Sequence, residues 1–262
     1  MVALQSLYCA FLEKEEPMRI ALIADIHGNL VAFETVLQEV AREQVDQIIC
    51  LGNVAALGPQ PHEVIDRLRQ LQCPVILGNT DGWLLAPKGA KTSDSEILEL
   101  ITSWCREQLT PEDQQYLHTF SPLLEFPLDE GRGLLCYHGS PRSFDDVIAA
   151  TTPDAVVKQM LADSTATVMV GGHTHIQMLR RYEESCLVNV GSVGLPGVNA
   201  GSPELPNNHD VHWAEYGLLS LDAGRLSIDL RRLPLDMAAV LHAGAHSSMP
   251  HREWWMQKWE ND

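Results

Sequence analysis

Three short apolar runs near the start of the chain alternate with two segments of helical period, and each run ends in a polar cluster. MRIALIADI (18–26), QIICL (47–51) and PVILG (74–78) read as buried strands. Between the first two, LVAFETVLQEVAREQ (30–44) carries apolar residues at 30, 33, 36, 37, 40 and 41, which is helical spacing. PQPHEVIDRLRQLQ (59–72) opens with prolines, which a helix tolerates at its start. Strand, helix, strand, helix, strand with short links predicts parallel pairing in an α/β fold.

The rest of the chain extends this pattern. Residues 93 to 118 read as helical, with Ser93 and Asp94 as candidate N-caps and Thr110-Pro111-Glu112-Asp113 as a restart. Strand-like runs follow at 123–128, 133–139, 166–172, 177–182 and 186–191, with a helix predicted at 152–163. YGLLSLD and RLSIDLRRL, joined by Ala223-Gly224, predict a late hairpin. No linker interrupts this order, so one domain on two sheets is expected over 18–235. Residues 1–17 read as a poorly ordered extension and 236–262 as a helical tail. Trp254, Trp255 and Trp259 in that tail form a stripe that docks on the core or serves a dimer contact, leaving a homo-oligomer open.

Composition limits the partners. The 262 residues include 18 basic and 35 acidic ones, a formal charge of −17. That disfavours a nucleic-acid binder, which needs a basic face. The six cysteines, at 9, 50, 73, 105, 136 and 186, form no C-x-x-C pair and read as reduced thiols of a cytoplasmic protein. No apolar run approaches the roughly 20 residues of a membrane span. The first residues lack the basic start and cleavage site of a signal peptide.

Candidate ligands cluster where strands end. Asp25 and His27 follow the first run, Asn53 the second and Asn79 the third. His138 follows a later run, and His173 and His175 follow another. Binding sites in α/β sheets form beyond the carboxyl ends of strands, so residues this far apart can converge. Imidazole, carboxylate and amide oxygen suit Mn, Fe, Zn or Ni better than a thiolate-seeking metal. Seven such residues exceed one tetrahedral shell and suit two ions about 3.5–4 Å apart. Alone, D-x-H is a weak signal and Gly-Asn at a strand end is usually a turn. The five clusters in this order point to a shared metal site.

Asp25-Ile26-His27, Gly52-Asn53, Gly78-Asn79-Thr80-Asp81, His138-Gly139 and Gly172-His173-Thr174-His175 together resemble the calcineurin-like metallophosphoesterase superfamily. Within it, the chain is similar to the small bacterial and archaeal YfcE-like phosphodiesterases. GPQPHEVIDRL, WCREQLTPED and NVGSVGLP carry the likeness past the ligands, over roughly residues 18 to 235. The resemblance implies a four-layer α/β/β/α sandwich with two divalent transition-metal ions. Manganese is the first choice, with Fe, Zn, Ni or Co as alternatives. Asp25, His27 and His175 would hold one ion, Asn79, His138 and His173 the other, with position 53 bridging. A hydroxide between the ions would attack the phosphorus of a small phosphodiester or phosphomonoester, with Asn79 and His138 the residues assigned to catalysis.

Three departures qualify that expectation. The family carries aspartate at the bridge, and this chain carries Asn53. An amide offers one neutral oxygen and a nitrogen that cannot ligate a cation. Weaker binding of at least one ion follows, and with it the alternative of a weakly active or non-catalytic relative that binds a nucleotide or partner. Thr80 stands where much of the superfamily has histidine, which favours substrates with good leaving groups or water as proton donor. Gly197 stands about where relatives often carry arginine, so a phosphate contact is absent from the expected set. Of the other histidines, His62, His118, His242, His246 and His251 read as surface residues, while His209 and His212 sit in a loop that could approach the site.

Overall fold

In the computed structural model, the described residues are 17–87, 93, 95–129, 131–195 and 211–259. The extension before residue 17, Cys9, Asp94, Gly197 and His209 lie outside them.

Two sheets form the centre of the molecule. Strands β1 (Met18–Ile23) and β2 (Gln47–Cys50) join β8 (Trp213–Asp222) and β9 (Arg225–Pro234) in the order β2-β1-β8-β9. The second sheet orders β3 (Leu124–Pro127), β4 (Gly133–Cys136), β5 (Val168–Gly171), β7 (Ser185–Asn189) and β6 (Met178–Tyr182) as β3-β4-β5-β7-β6. Pairs β1–β2, β4–β5 and β5–β7 are parallel, as crossover connections require. The hairpin at Ala223-Gly224 is present, with β8 and β9 antiparallel.

The period of β1 divides the core. Ile20 and Leu22 face the space between the sheets, where they meet Ile49, Val170, Val188 and Leu219. Ala21 and Ile23 face the other way, toward Phe33, Val36, Ile65 and Leu68. Those residues belong to α1 (Leu30–Arg42) and α2 (Pro61–Leu71), which cover the first sheet. Val157 and Leu161 of α6 (Asp154–Leu161) cover the second sheet against Leu135 and Leu187. Each fully buried Leu or Ile contributes about 1.5–3 kcal/mol of transfer free energy. The result is the α/β/β/α sandwich, with helices outside and two sheets within.

Two local readings change, and in the helical region 93–118 the expected restart at Thr110 is present while the first cap moves to Ser95. The run PVILG is not a full strand: Val75 and Ile76 make single bridges to Cys50 and Ser121. Its residues bond on two sides, with Ile76 N–H donating to the Cys50 carbonyl and Leu77 N–H to the Ser121 carbonyl, so neither ladder extends. Immediately after it, α3 (Asn79–Leu85) occupies a stretch that the turn-like letters Asn-Thr-Asp-Gly conceal. The helical region after it divides into α4 (Glu96–Gln108), capped by Ser95, and α5 (Pro111–Leu117), capped by Thr110. In the tail, α7 (Met237–His246) and α8 (Arg252–Met256) pack together, and Trp255 and Trp259 are buried in the same core as Phe33.

Candidate metal centre

Backbone pairing beyond the strand ends assembles the site. The β1–β2 register carries on past Ile23 and Cys50: Asp25 N–H donates to the Gly52 carbonyl and His27 N–H to that of Asn53, each at 2.9 Å. In the second sheet Gly172 N–H donates to the His138 carbonyl at 3.0 Å. The late loop clasps the first ligand turn. Ser192 Oγ donates to the Asp25 carbonyl at 2.9 Å, and Val193 and Gly194 N–H reach the carbonyls of Ala24 and Asp25. Asn29 caps α1 by accepting from Ala32 N–H and ties it to this loop through the Gly194 carbonyl.

The two Leu-Gly-Asn turns lie against each other. A Cβ on Gly52 would stand 2.7 Å from the Gly78 nitrogen, and one on Gly78 would stand 2.5 Å from the Asn53 nitrogen. Only glycine permits that approach. The Asp81 carboxylate joins the turns, accepting from the N–H groups of Asn53, Val54 and Gly78 at 2.7, 2.8 and 3.0 Å. Burial pushes its pKa up to about 6 against those donors. The helical position three residues after Gly78 was the available signal for this role.

All seven predicted residues, Asp25, His27, Asn53, Asn79, His138, His173 and His175, are buried and meet at the strand ends. Five of them, Asp25, His27, Asn53, His173 and His175, have φ between 47° and 70°. That left-handed backbone costs a non-glycine residue about 1–2 kcal/mol, with asparagine affected least. Strain collected on one constellation marks a functional site.

The histidines are oriented from behind. Nδ1 of His27 donates to the Ala56 carbonyl at 3.0 Å, that of His138 to Leu51 at 2.7 Å, and that of His175 to Leu195 at 2.5 Å. Each Nε2 is thereby left as a lone-pair donor aimed into the centre. His27 Nε2 and His175 Nε2 face each other at 3.2 Å, with Asp25 Oδ1 3.7 and 3.3 Å from them. These three ligand atoms lie within 4.8 Å of one another. Burial pushes His27 below its ordinary value, and it pushes His138 and His173 to about 4. Burial also opposes the charge of Asp25, yet His175 and His27 beside it hold its carboxyl well below the usual range. Imidazole Nε2 lone pairs around a carboxylate are a donor set that fits a divalent transition-metal ion.

Asn79 and His138 meet on the other side, with His138 Nε2 3.2 Å from Asn79 Oδ1. His173 N–H bonds Asp25 Oδ2 at 2.9 Å, and its ring packs 5.2 Å from that of His138. Asn53 lies between the two groups. Its Oδ1 accepts from Thr80 N–H and Thr80 Oγ1, and its Nδ2 faces Asp25 and Asn79.

The calcineurin-like phosphoesterase superfamily domain matches residues 18–217. The chain belongs to this superfamily. It is 27% identical over 215 residues to phosphodiesterase YfcE of Escherichia coli strain K12, covering 78% of this chain and 89% of that one. It is 26% identical over 202 residues to the uncharacterized protein MJ0912 of Methanocaldococcus jannaschii, covering 70% and 80%. A metallophosphoesterase from Sphaerobacter thermophilus superposes with a TM-score of 0.70 at 23% identity, covering 94% of this chain and 100% of that one. Hypothetical protein PH1004 from Pyrococcus horikoshii superposes at 0.75 with 19% identity, covering 89% and 95%. These structures share the sandwich.

A cavity of about 310 Å³ opens over these residues. His27, Asn53, Asn79, His173 and His175 form its floor, and Leu57, Trp83, Leu98 and Leu195 form apolar walls. Trp83, Leu98 and Asp145 were missed by sequence reasoning. Trp83 lies one helical turn after Asn79, a spacing that becomes visible only once α3 is recognised. No lysine or arginine lines the cavity among the described residues. His212 precedes β8, its carbonyl accepting from Leu235, and does not line the cavity. His62 instead pairs with Asp113 at 2.6 Å.

Proposed function

We propose that the chain is a metal-dependent phosphoesterase acting on a small phosphodiester or phosphomonoester. The convergence of Asp25 Oδ1, His27 Nε2 and His175 Nε2 carries this reading, because lone pairs 3.2 to 3.7 Å apart suit a shared cation. A divalent ion held there, Mn²⁺ first and Fe, Zn, Ni or Co as alternatives, would polarise a phosphoryl oxygen and lower the pKa of water. Asn79 lines the cavity and is proposed to touch the phosphoryl group, and His138, whose Nε2 lies 3.2 Å from Asn79 Oδ1, is the second residue assigned to catalysis. The superfamily resemblance adds a second ion on Asn79, His138 and His173, with position 53 as bridge.

The chain's own groups limit the leaving group. His138 and His173 are neutral at pH 7, since burial pushes both to about 4. Thr80 Oγ1 is committed to Asn53 Oδ1 at 2.8 Å. Neither source offers a ready proton, which favours esters of acidic alcohols. Apolar walls without a cation suit a diester, with one negative charge, over a doubly charged monoester. The net charge of −17 speaks against a nucleic-acid substrate. Five described cysteines are free, which suits a cytoplasmic setting, and no described helix is long and apolar enough to cross a membrane.

Hydrolysis of bis-p-nitrophenyl phosphate by metal-free protein supplemented with Mn²⁺, Ni²⁺, Co²⁺ or Zn²⁺ tests the proposal. Turnover with at least one ion, lost on chelation, is expected. A second reading, a relative that binds a nucleotide or partner without turnover, is favoured by the Asn53 amide. Activity of Asn53→Asp beside an inert wild type would select it.

A further inference from the structure

Asn53 has a fixed polarity, and that polarity separates the two donor groups of the metal-dependent reading on which this inference rests. The Thr80 backbone N–H, 3.0 Å from the amide, can only donate, so the atom facing it is the oxygen. Thr80 Oγ1 adds a second donor to the same oxygen at 2.8 Å. The amide nitrogen therefore points inward. One of its hydrogens goes to Asp25 Oδ1 at 3.1 Å and the other to Asn79 Oδ1 at 3.0 Å. A carboxylate here would present lone pairs to cations on both sides. The amide presents hydrogens, which repel a cation, to both.

The two groups tolerate this differently. Asp25 is anionic and its Oδ1 has lone pairs to spare toward His27 and His175. Asn79 has one neutral oxygen, already engaged by Asn53 and abutting His138 Nε2 at 3.2 Å. Asn79, His138 and His173 together supply no negative charge. A dication placed among three neutral donors in a buried site loses its hydration without a counter-charge.

We propose that Asn53, held by Thr80, makes this a one-ion centre: the ion sits on Asp25, His27 and His175, and the amide hydrogens stand in for the second.

Metal-free wild type and Asn53→Asp should be titrated with Mn²⁺ and with Zn²⁺ by calorimetry. Bound metal should then be counted by mass spectrometry, and the Mn²⁺-loaded proteins examined by electron paramagnetic resonance. One tight ion per chain and an isolated-ion spectrum are expected for wild type, and two ions with a spin-coupled spectrum for Asn53→Asp. A second ion in wild type within about tenfold of the first in affinity, or one ion in both proteins, overturns the proposal and leaves the metal-dependent reading standing. No tight ion in either protein overturns both. The wild-type count stands by itself if the variant fails to fold.

Discussion

The Asp25–His27–His175 group and the Asn79–His138–His173 group are built by the same device and end up chemically unlike. In the first, backbone carbonyls hold both imidazoles from behind, and in the second a carbonyl holds His138, so that these Nε2 atoms point inward. In each, one residue supplies an oxygen, Asp25 beyond the end of β1 and Asn79 at the start of α3. The first group has a carboxylate, kept ionised by its histidines against the cost of burial. The second has a neutral amide oxygen that already accepts from Asn53. A donor's geometry is therefore an incomplete description of a metal site. What the donor is already bonded to, and the charge it brings, decide how it competes for a cation.

The largest effect should come from removing the charge on one side alone. Asp25→Asn is expected to abolish tight ion binding and lower phosphodiesterase turnover by at least about 10³-fold, since the ion would lose its anionic ligand. His173→Ala should leave the number of tight ions unchanged. Ion counts on both variants, with folding checked by circular dichroism, test the contrast. Equal loss in the two would break it.

Acid should act on the neutral imidazoles. The folded-state pKa of His138 and His173 is about 4, below the ordinary 6.5. Between these values the unfolded chain binds protons that the folded chain does not, so stability falls as pH drops from 6.5 toward 4. One such imidazole accounts for about 3 kcal/mol across the window. Denaturant melts of chelator-treated protein at pH 7 and pH 4.5 should show the loss, and His138→Gln should show less of it. A flat profile would mean that the second group is not the buried neutral set described above.

Much of this arrangement was legible in the sequence. Apolar runs of five to nine residues, five of them leading into Asp, Asn or His, pointed to the strands and to a meeting of those residues at the carboxyl ends. Three features were not legible, for different reasons. The turn-forming letters of Asn79-Thr80-Asp81-Gly82 hide a helix because Asp81 accepts from the distant Asn53 turn as well as from Gly78 at the start of its own helix. The direction of the Asn53 amide depends on Thr80, 27 residues away, and no spacing rule encodes it. Left-handed backbone at Asp25 and His173 was likewise hidden, because neither residue is glycine.

Asp81 serves both groups at once, since it holds the Asn53 turn and begins the helix that carries Asn79. Asp81→Ala would leave three buried N–H groups without their acceptor, and each such group costs about 1–3 kcal/mol. Partial relaxation should reduce the total to about 2–3 kcal/mol, read as a drop in melting temperature. Asp81→Asn, which keeps an acceptor oxygen, should lose less. If the two variants melt alike, the carboxylate is not what joins the turns.

The smallest expected effect concerns the wall above the centre, where the two groups share one substrate. Trp83 faces the same cavity as His27 and Asn79, and its side chain is the largest apolar surface there. Truncation to alanine removes a stacking face of about 0.5–1.5 kcal/mol for an aromatic ester arm. KM for bis-p-nitrophenyl phosphate should therefore rise about two- to tenfold in Trp83→Ala, while kcat and the ion count stay unchanged. An alkyl diester of similar size should lose less than the aryl one. A fall in kcat without a change in KM would place Trp83 in support of the Asn79 helix and not in the substrate wall. That result would tie the second donor group to α3 more closely than the hydrogen bonds to Asn53 alone do.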